Sequence, residues 1–455
     1  MRRVSMAETR WERDTMGTVE VPAGALYGAQ TARAVVNFPI SGARLQRPFV
    51  RALGLIKAAA AEVNGERRWL PEEMAGRIAA AAREVAEGRH DGEFVVDVYQ
   101  TGSGTSTNMN ANEVIARLAG EGVHTNDHVN RGQSSNDVIP TAMNVSAAME
   151  VHGRLLPALG ALRGALAAKA VEFHGVLKIG RTHLQDAVPM RLGQEFSGYA
   201  RQVELGASRV ERAVADLYEL PLGGTAVGTG LNAPPGFAPA VIRLLAEWTG
   251  LPFREAENHF EAQAARDGIA FLSGALKACA VGLVKIANDI RLLGSGPRCG
   301  LGELRLPAVQ PGSSIMPGKV NPVIAESLVM ACAQVVGHDA AIAWCCAGGH
   351  FELNAMMPLM AYDLLDSIEL LANSAETFRA RLVEGLEADP ARAEGYIEQS
   401  LALVTSLVPE IGYEKAAGIA KEAYSTGRTV REVGAERSGL VPERLAELLD
   451  PAKQV

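Results

Sequence analysis

Five stretches of the chain concentrate uncharged hydrogen-bonding side chains: "TGSGTSTNMNANE" (101–113), "HVNRGQSSND" (128–137), "GRTHLQDAVP" (180–189), "GGTAVGTGLN" (223–232) and "GSSIMPGKVNP" (312–322). Hydroxyls, amides and free backbone N–H groups at helix starts form a cradle for carboxylate or phosphate oxygens. Each stretch adjoins apolar helical sequence and is expected at a helix end, where the same residue types, taken singly, also serve as ordinary caps. Lys319 lies in one of them and His128 and His183 in two others, so together they suggest a site for a small anion. In the last stretch, two prolines and two glycines within eleven residues exclude a continuous helix and predict a loop opening onto one.

Other chemistries lack their residues. "TGSGTSTN" has neither the Gly-Lys-Ser/Thr ending of a phosphate-binding loop nor the third glycine of a dinucleotide fingerprint. His124 and His128 have the spacing of a zinc pair, but Thr125 stands where a zinc-protease helix needs glutamate, and the intervening "TND" favours a turn. Gly102-Ser103-Gly104 has the composition of a hydrolase nucleophile elbow and the wrong spacing. No metal site is expected.

The elements that must position these residues are mainly helical. From Leu272, the apolar positions Leu276, Cys279, Leu283, Ile286, Ile290 and Leu293 follow at steps of three and four, one stripe of a long helix. Leu155, Leu159, Leu162 and Leu166 repeat the pattern, and Met190 to Leu220, Pro322 to Ala343 and Met356 to Leu382 are further long apolar-rich segments. Such stripes need partners, which predicts an elongated helical bundle with room for packing between subunits. Residues 1–134 have shorter segments, with "VEVPAGALYGAQT" reading as strand and loop; residues 135–389 hold the long helices; residues 390–455 read as short helices broken at Pro409 and Gly427. Three domains are expected on those boundaries.

Composition limits the partners. The chain has 455 residues, 48% of them hydrophobic, and a net charge of -8 with both signs interspersed. That balance argues against nucleic acid and anionic membranes, which attract basic surfaces. The N-terminal "MRRVSMAETRWERDTMG" lacks the apolar stretch of a secretory signal, and no run reads as long and apolar enough to cross a bilayer. The five cysteines, at 279, 299, 332, 345 and 346, show no metal-ligand spacing and suit a reducing compartment, with the cytoplasm the expected location.

Nearly the whole chain, from about Trp11 to Pro451, resembles class II fumarate hydratases of the aspartase/fumarase superfamily. The resemblance rests on "GAQT" (28–31), "NRGQSSND" (130–137), "GRTHLQDAVP" and "MPGKVNP", which occur in the family's order. It implies a mainly α, three-domain lyase fold whose central long helices form a multi-helix core in a homotetramer, with each active site shared by three subunits. It also implies no cofactor and a small dicarboxylate substrate. By the same resemblance Ser313 is the base, Lys319 stabilises the charge it creates, and His183 with Glu326 handles the water. Ser103, Gly104, Thr105, Ser134, Ser135, Asn136, Thr182, Ser314, Lys319 and Asn321 bind substrate. His124, Asn126 and Asp127 match a secondary dicarboxylate site, although Thr125 stands where the family usually has proline. His183 and Gly318 separate the chain from aspartate ammonia-lyases, which typically carry Gln and Ala there; an aspartate ammonia-lyase or another fumarate-forming lyase of the superfamily is the alternative. A non-catalytic structural relative is a further alternative, and the catalytic set present here argues against it. Arg191, His350 and the run Val323-Ile324-Ala325 depart from the usual family pattern.

Overall fold

The computed structural model describes residues 8–455; residues 1–7, which open the segment read above as lacking a secretory signal, lie outside the described residues. Helices dominate, and the β structure consists of two-stranded pairings. Contacts divide the chain into two compact units, the boundaries falling within long helices.

The first unit comprises residues 8–157, 208–280 and 333–372. It opens with an antiparallel hairpin, Thr9–Asp14 with Gly17–Pro22, in register from Thr9 opposite Pro22 to Asp14 opposite Gly17. Helix Arg47–Glu66 starts with proline in its first turn and lies along helix Glu72–Glu87. A Cβ on Gly54 would sit 2.6 Å from the backbone nitrogen of Ala86, so glycine is what permits that approach. Helices Thr105–Ala119 and Ser135–Glu150 complete the part of this unit that carries two of the polar stretches.

The second unit comprises residues 158–207, 281–332 and 373–455. Its antiparallel hairpin, Leu177–Thr182 with Gln185–Arg191, rests on the C-terminal helices: Ile179 is buried in a core with Ile397, Leu403, Leu407, Ile419 and Val433. The tail forms the expected short helices, among them Pro390–Gln399, Tyr413–Thr426 and Val430–Arg437. Gly427 caps the second of these in a left-handed conformation, and Pro409 lies in the first turn of the short helix Val408–Ile411.

The stripe from Leu272 to Leu293 lies in helix Asp267–Leu293, and all seven of its residues are buried. Three details differ from the sequence reading. The segment from Met190 is strand up to Arg191, and its helix runs only over Leu192–Val214, because the backbone groups before it pair across the hairpin. "GRTHLQDAVP" forms that hairpin and "GGTAVGTGLN" a series of turns, so neither is a helix end as expected. The third concerns apolar length: Asp267–Leu293 and Val323–Ala347 are, by length and composition, apolar enough to cross a membrane. Isolated polar residues such as Lys277 and Asp339 interrupt these runs without changing their average character. Within the first unit, Lys277 and Ser273 both bond the Asp339 carboxylate, and 50% of the apolar window of Asp267–Leu293 and 39% of that of Val323–Ala347 are buried.

Candidate active site

Three hydroxyls form a chain in the first unit. Ser103 Oγ lies 2.7 Å from Thr105 Oγ1, which lies 2.7 Å from Ser135 Oγ. The helix carrying Thr105 starts after Gly104, whose φ of 73° and buried contact with Ile139 leave no room for a side chain: a Cβ would sit 2.8 Å from that residue. Behind this start, the Gly102 carbonyl accepts from Met357 N–H at 3.0 Å, with Ala355 directly over the glycine Cα. The segment 348–357 therefore braces the turn.

Ser134 opens the next helix through a capping box. Its Oγ accepts from Asn136 N–H at 3.2 Å, and its own N–H donates to Asp137 Oδ1 at 2.9 Å. The second Asp137 oxygen accepts from Gly223 N–H and Thr225 N–H, both at 3.0 Å, and the Asn136 amide donates to Ala226 O at 2.8 Å. The fourth polar stretch is thus tied to the second through one fully buried carboxylate. Burial pushes the Asp137 carboxyl up against the three N–H groups and Lys57, which favour its charged form.

Ser313, Ser314, Lys319, Asn321, Glu326, Thr182 and His183 lie in the second unit. Gly312 N–H donates to Lys319 O at 2.9 Å, Lys319 N–H to Met316 O at 3.2 Å and the Asn321 amide to Gly312 O at 2.5 Å, closing residues 312–321 into a loop. Inside it, Ser313 Oγ accepts from Ile315 N–H at 3.3 Å and Met316 N–H at 3.1 Å. Two N–H donors on one hydroxyl oxygen are the arrangement that stabilises an alkoxide. Residues 308–313 and 316–320 line a cleft of about 450 Å³. Ser314 and Lys319 are exposed, as is Glu326 in the first turn of helix Val323–Ala347.

Thr182 and His183 are exposed near and at the tip of the second hairpin. His183 and Leu184 have φ of 56° and 58°, a two-residue turn geometry that Asn-Gly ordinarily fills. For residues of this size the conformation costs about 1–3 kcal/mol each. Its support lies along the first strand: Arg181, two residues before the turn, donates from Nη2 to Glu303 Oε1 at 2.7 Å, and Lys178 Nζ stands 3.4 Å from Glu303 Oε2, the Glu303 side chain having no exposed surface. Among the described residues no hydrogen bond or ion pair joins His183 to Glu326.

His124 and Asn126 line a separate cleft of about 690 Å³ with Arg10, Arg13, Glu113 and Arg117, all in the first unit. His124 Nδ1 lies 3.2 Å from the Asp127 carboxylate. Residues Thr125–Val129 form one turn of π-helix rather than a simple turn.

Two family models match the sequence: one described as lyase over residues 17–337, and one described as fumarase C C-terminus over residues 403–454. The class II fumarate hydratase of Mycobacterium tuberculosis is 54% identical over 444 residues, covering 97% of this chain and 94% of the relative. The chain belongs to the class II fumarate hydratase family. The Methylorubrum extorquens member is 53% identical over 98% of this chain and 96% of its own. The crystal structure of a class II fumarase from Schistosoma mansoni superimposes with a TM-score of 0.96 at 41% identity, covering 98% of this chain and 99% of that one.

The departures from the usual fumarate hydratase pattern have defined places. Arg191 ends the second hairpin and donates to His174 O at 3.2 Å, a local tie. His350 pairs with Leu353 across a tight exposed turn, while buried Asn354 holds that turn by donating to Cys345 O at 2.9 Å. Val323 and Ile324 open the helix after the signature loop, with Ala325 buried beneath them.

The sequence reading passed over the groups underneath the site. Asp137 was visible as the aspartate that closes a Ser-x-x-Asp cap, three residues after Ser134. Lys57 interrupts an apolar run, "GLIKAAAAEVN", and a charge on a buried stripe is the signal that would have found it.

Proposed function

We propose that this chain catalyses the reversible hydration of fumarate to L-malate, with Ser313 as the base. The observation that carries this reading is the Ser313 Oγ held by two backbone N–H donors within a closed loop. An alkoxide formed there is stabilised before it reacts, which gives a weakly basic hydroxyl the strength to take a proton from carbon.

In the malate-to-fumarate direction, Ser313 removes a proton from the carbon next to one carboxylate. The electron pair moves into that carboxylate, giving an aci-carboxylate with two negative charges. Lys319, Asn321 and Ser314 meet this charge from the loop, while Ser103, Gly104, Thr105, Ser134, Ser135 and Asn136 supply hydroxyls and N–H groups for the substrate carboxylates. As the double bond forms, the carbon–oxygen bond breaks and hydroxide leaves with a proton from His183, assisted by Thr182. Glu326 is the carboxylate that orients the ring and favours its charged form. Fumarate hydration runs these steps in reverse, with His183 taking the proton from water.

Ser313, Lys319, His183 and Glu326 stand exposed or half-exposed on one chain, a poor setting for charge stabilisation in the presence of bulk water. This supports a homotetramer in which three subunits contribute to each site and cover these groups. His124, Asn126 and Asp127 belong to the same reading as a secondary dicarboxylate site.

The test is the ultraviolet absorbance of fumarate mixed with purified protein in EDTA, with and without ammonium. Loss without ammonium supports the hydratase. Loss that requires ammonium replaces it with an ammonia-lyase despite His183, and no loss in either mixture overturns both.

A further inference from the structure

Lys57 is fully buried in helix Arg47–Glu66, yet among the described residues no carboxylate lies within ion-pair distance of its ammonium. Its acceptors are two neutral amide oxygens, Asn130 Oδ1 at 2.9 Å and Gln133 Oε1 at 3.0 Å. A buried cation without a directly bonded counter-ion is weak evidence for stability, because an apolar side chain of similar volume does as well or better. Its location is more informative.

Asn130 and Gln133 bracket the turn that leads into Ser134, Ser135 and Asn136. Gln133 N–H donates to Asn130 O and the Asn130 amide to Gln133 O, both at 3.0 Å. Asn130 Oδ1 also accepts from Asn108 at 3.2 Å and Asn112 at 3.1 Å, two buried residues of the helix that Thr105 opens. That amide oxygen therefore joins Lys57 to helix Thr105–Ala119, and the turn from Asn130 to Gln133 leads on to the start of helix Ser135–Glu150, so Lys57 is bonded to the supports of both helix starts in the Ser103–Thr105–Ser135 hydroxyl chain. Of the elements around Lys57, helix Ser135–Glu150 brings the charge that acts on it, the Asp137 carboxylate; helices Glu72–Glu87, Thr105–Ala119 and Phe237–Thr249 also pack against its helix, and the buried carboxylate of the second, Glu113, is taken up by the Gly28, Gln30 and Thr31 N–H groups. Burial pushes the Lys57 ammonium down to about 7, with Asp137 opposing that shift.

We propose that Lys57 is a positioning residue whose buried positive charge, acting through Asn130 and Gln133, makes the turn before Ser134 a site for the substrate carboxylate. This rests on the fumarate hydratase reading given above. Lys57 has no exposed surface and does not touch substrate; it fixes the two helix starts and adds a charge beneath them. Below about pH 7 that charge is present and favours anion binding; above it the charge is lost and binding weakens.

The experiment compares wild type with K57M, which retains the chain and removes the charge, measuring kcat and KM for fumarate from pH 6 to 9. Expected for K57M at pH 6.5 is a KM about tenfold above wild type with a much smaller change in kcat. The wild-type KM should rise towards the variant's as pH increases, and the ratio of the two should shrink. A folded K57M with wild-type KM, or with a KM raised by the same factor at every pH, overturns the proposal, the second outcome leaving a structural role alone. If K57M does not fold, succinate binding to H183N by calorimetry replaces it: binding must weaken above about pH 7, and pH-independent binding overturns the inference. A wild type that does not hydrate fumarate rejects the functional reading instead, so the two failures are distinguishable.

Discussion

The turn entering helix Ser135–Glu150 and the loop 312–321 both present serine hydroxyls, yet they are held in opposite ways. The first rests on fully buried Asp137 and Lys57, whose hydrogen bonds reach Gly223, Thr225, Asn130 and Gln133. The second is held mainly by bonds between its own residues, Gly312 to Lys319, Lys319 to Met316 and Asn321 to Gly312, and most of it is exposed. One is a preset cradle built into the core of its unit. The other is a short circuit of backbone bonds around a single oxygen, and its chemistry can be removed without disturbing packing.

The largest predicted effect follows from that contrast. S313A removes the oxygen on which the Ile315 and Met316 N–H groups converge and deletes the base. Turnover should fall at least about a thousandfold, the scale set by losing one preorganised donor and exceeded when the base itself is lost. The melting temperature and the binding of succinate should stay near wild type, because the loop's other bonds remain. A rate within tenfold of wild type in a fumarate assay would remove Ser313 from the mechanism.

D137A should behave differently. It leaves the Ser134, Gly223 and Thr225 N–H groups without their acceptor in a buried place, at a cost of about 1–3 kcal/mol for each group left unsatisfied. Both activity and melting temperature should drop, and differential scanning calorimetry beside the rate assay would register the joint loss. If D137A lost rate while melting like wild type, the first region would be no more embedded than the second, and the comparison would fail.

How much of this was legible beforehand depended on the type of signal. The long stripe from Leu272 to Leu293 was readable because a period of three to four apolar residues has one structural solution at that length. The loop around Ser313 was readable from its proline and glycine content. The hairpin at His183 was not, since "GRTHLQDAVP" lacks the Asn-Gly that marks such turns and is held instead by Glu303, more than a hundred residues away in sequence. Lys57 and Asp137 leave local marks, a charge on an apolar stripe and a Ser-x-x-Asp cap, but their partners Asn130, Gln133, Gly223 and Thr225 are set by tertiary contacts, to which no local periodicity points.

G104A probes the backbone beneath the hydroxyl chain. A left-handed φ and the Ile139 side chain 2.8 Å from the new Cβ should together cost about 1–3 kcal/mol, with KM for fumarate rising as Thr105 shifts. Thermal melting and Michaelis kinetics on the same preparation would test both effects. An alanine tolerated in both measurements would mean that the helix start can relax and that the cradle is less rigid than its bonding implies.

The smallest effect separates two neighbouring serines within the cradle. Ser134 Oγ accepts from the Asn136 N–H as part of the capping box, whereas Ser135 Oγ, among the described residues, bonds the hydroxyl of Thr105 and no backbone group. S134A should therefore destabilise the protein by about 1 kcal/mol, the usual cost of losing such a cap. S135A should leave stability unchanged and raise KM, because it breaks the hydroxyl chain without exposing a backbone donor. Denaturant melts and KM values for the two variants decide the matter. Equal stability losses would show that Ser135 also supports the fold, and the division between groups that hold the turn and groups that face the substrate would have to be drawn elsewhere.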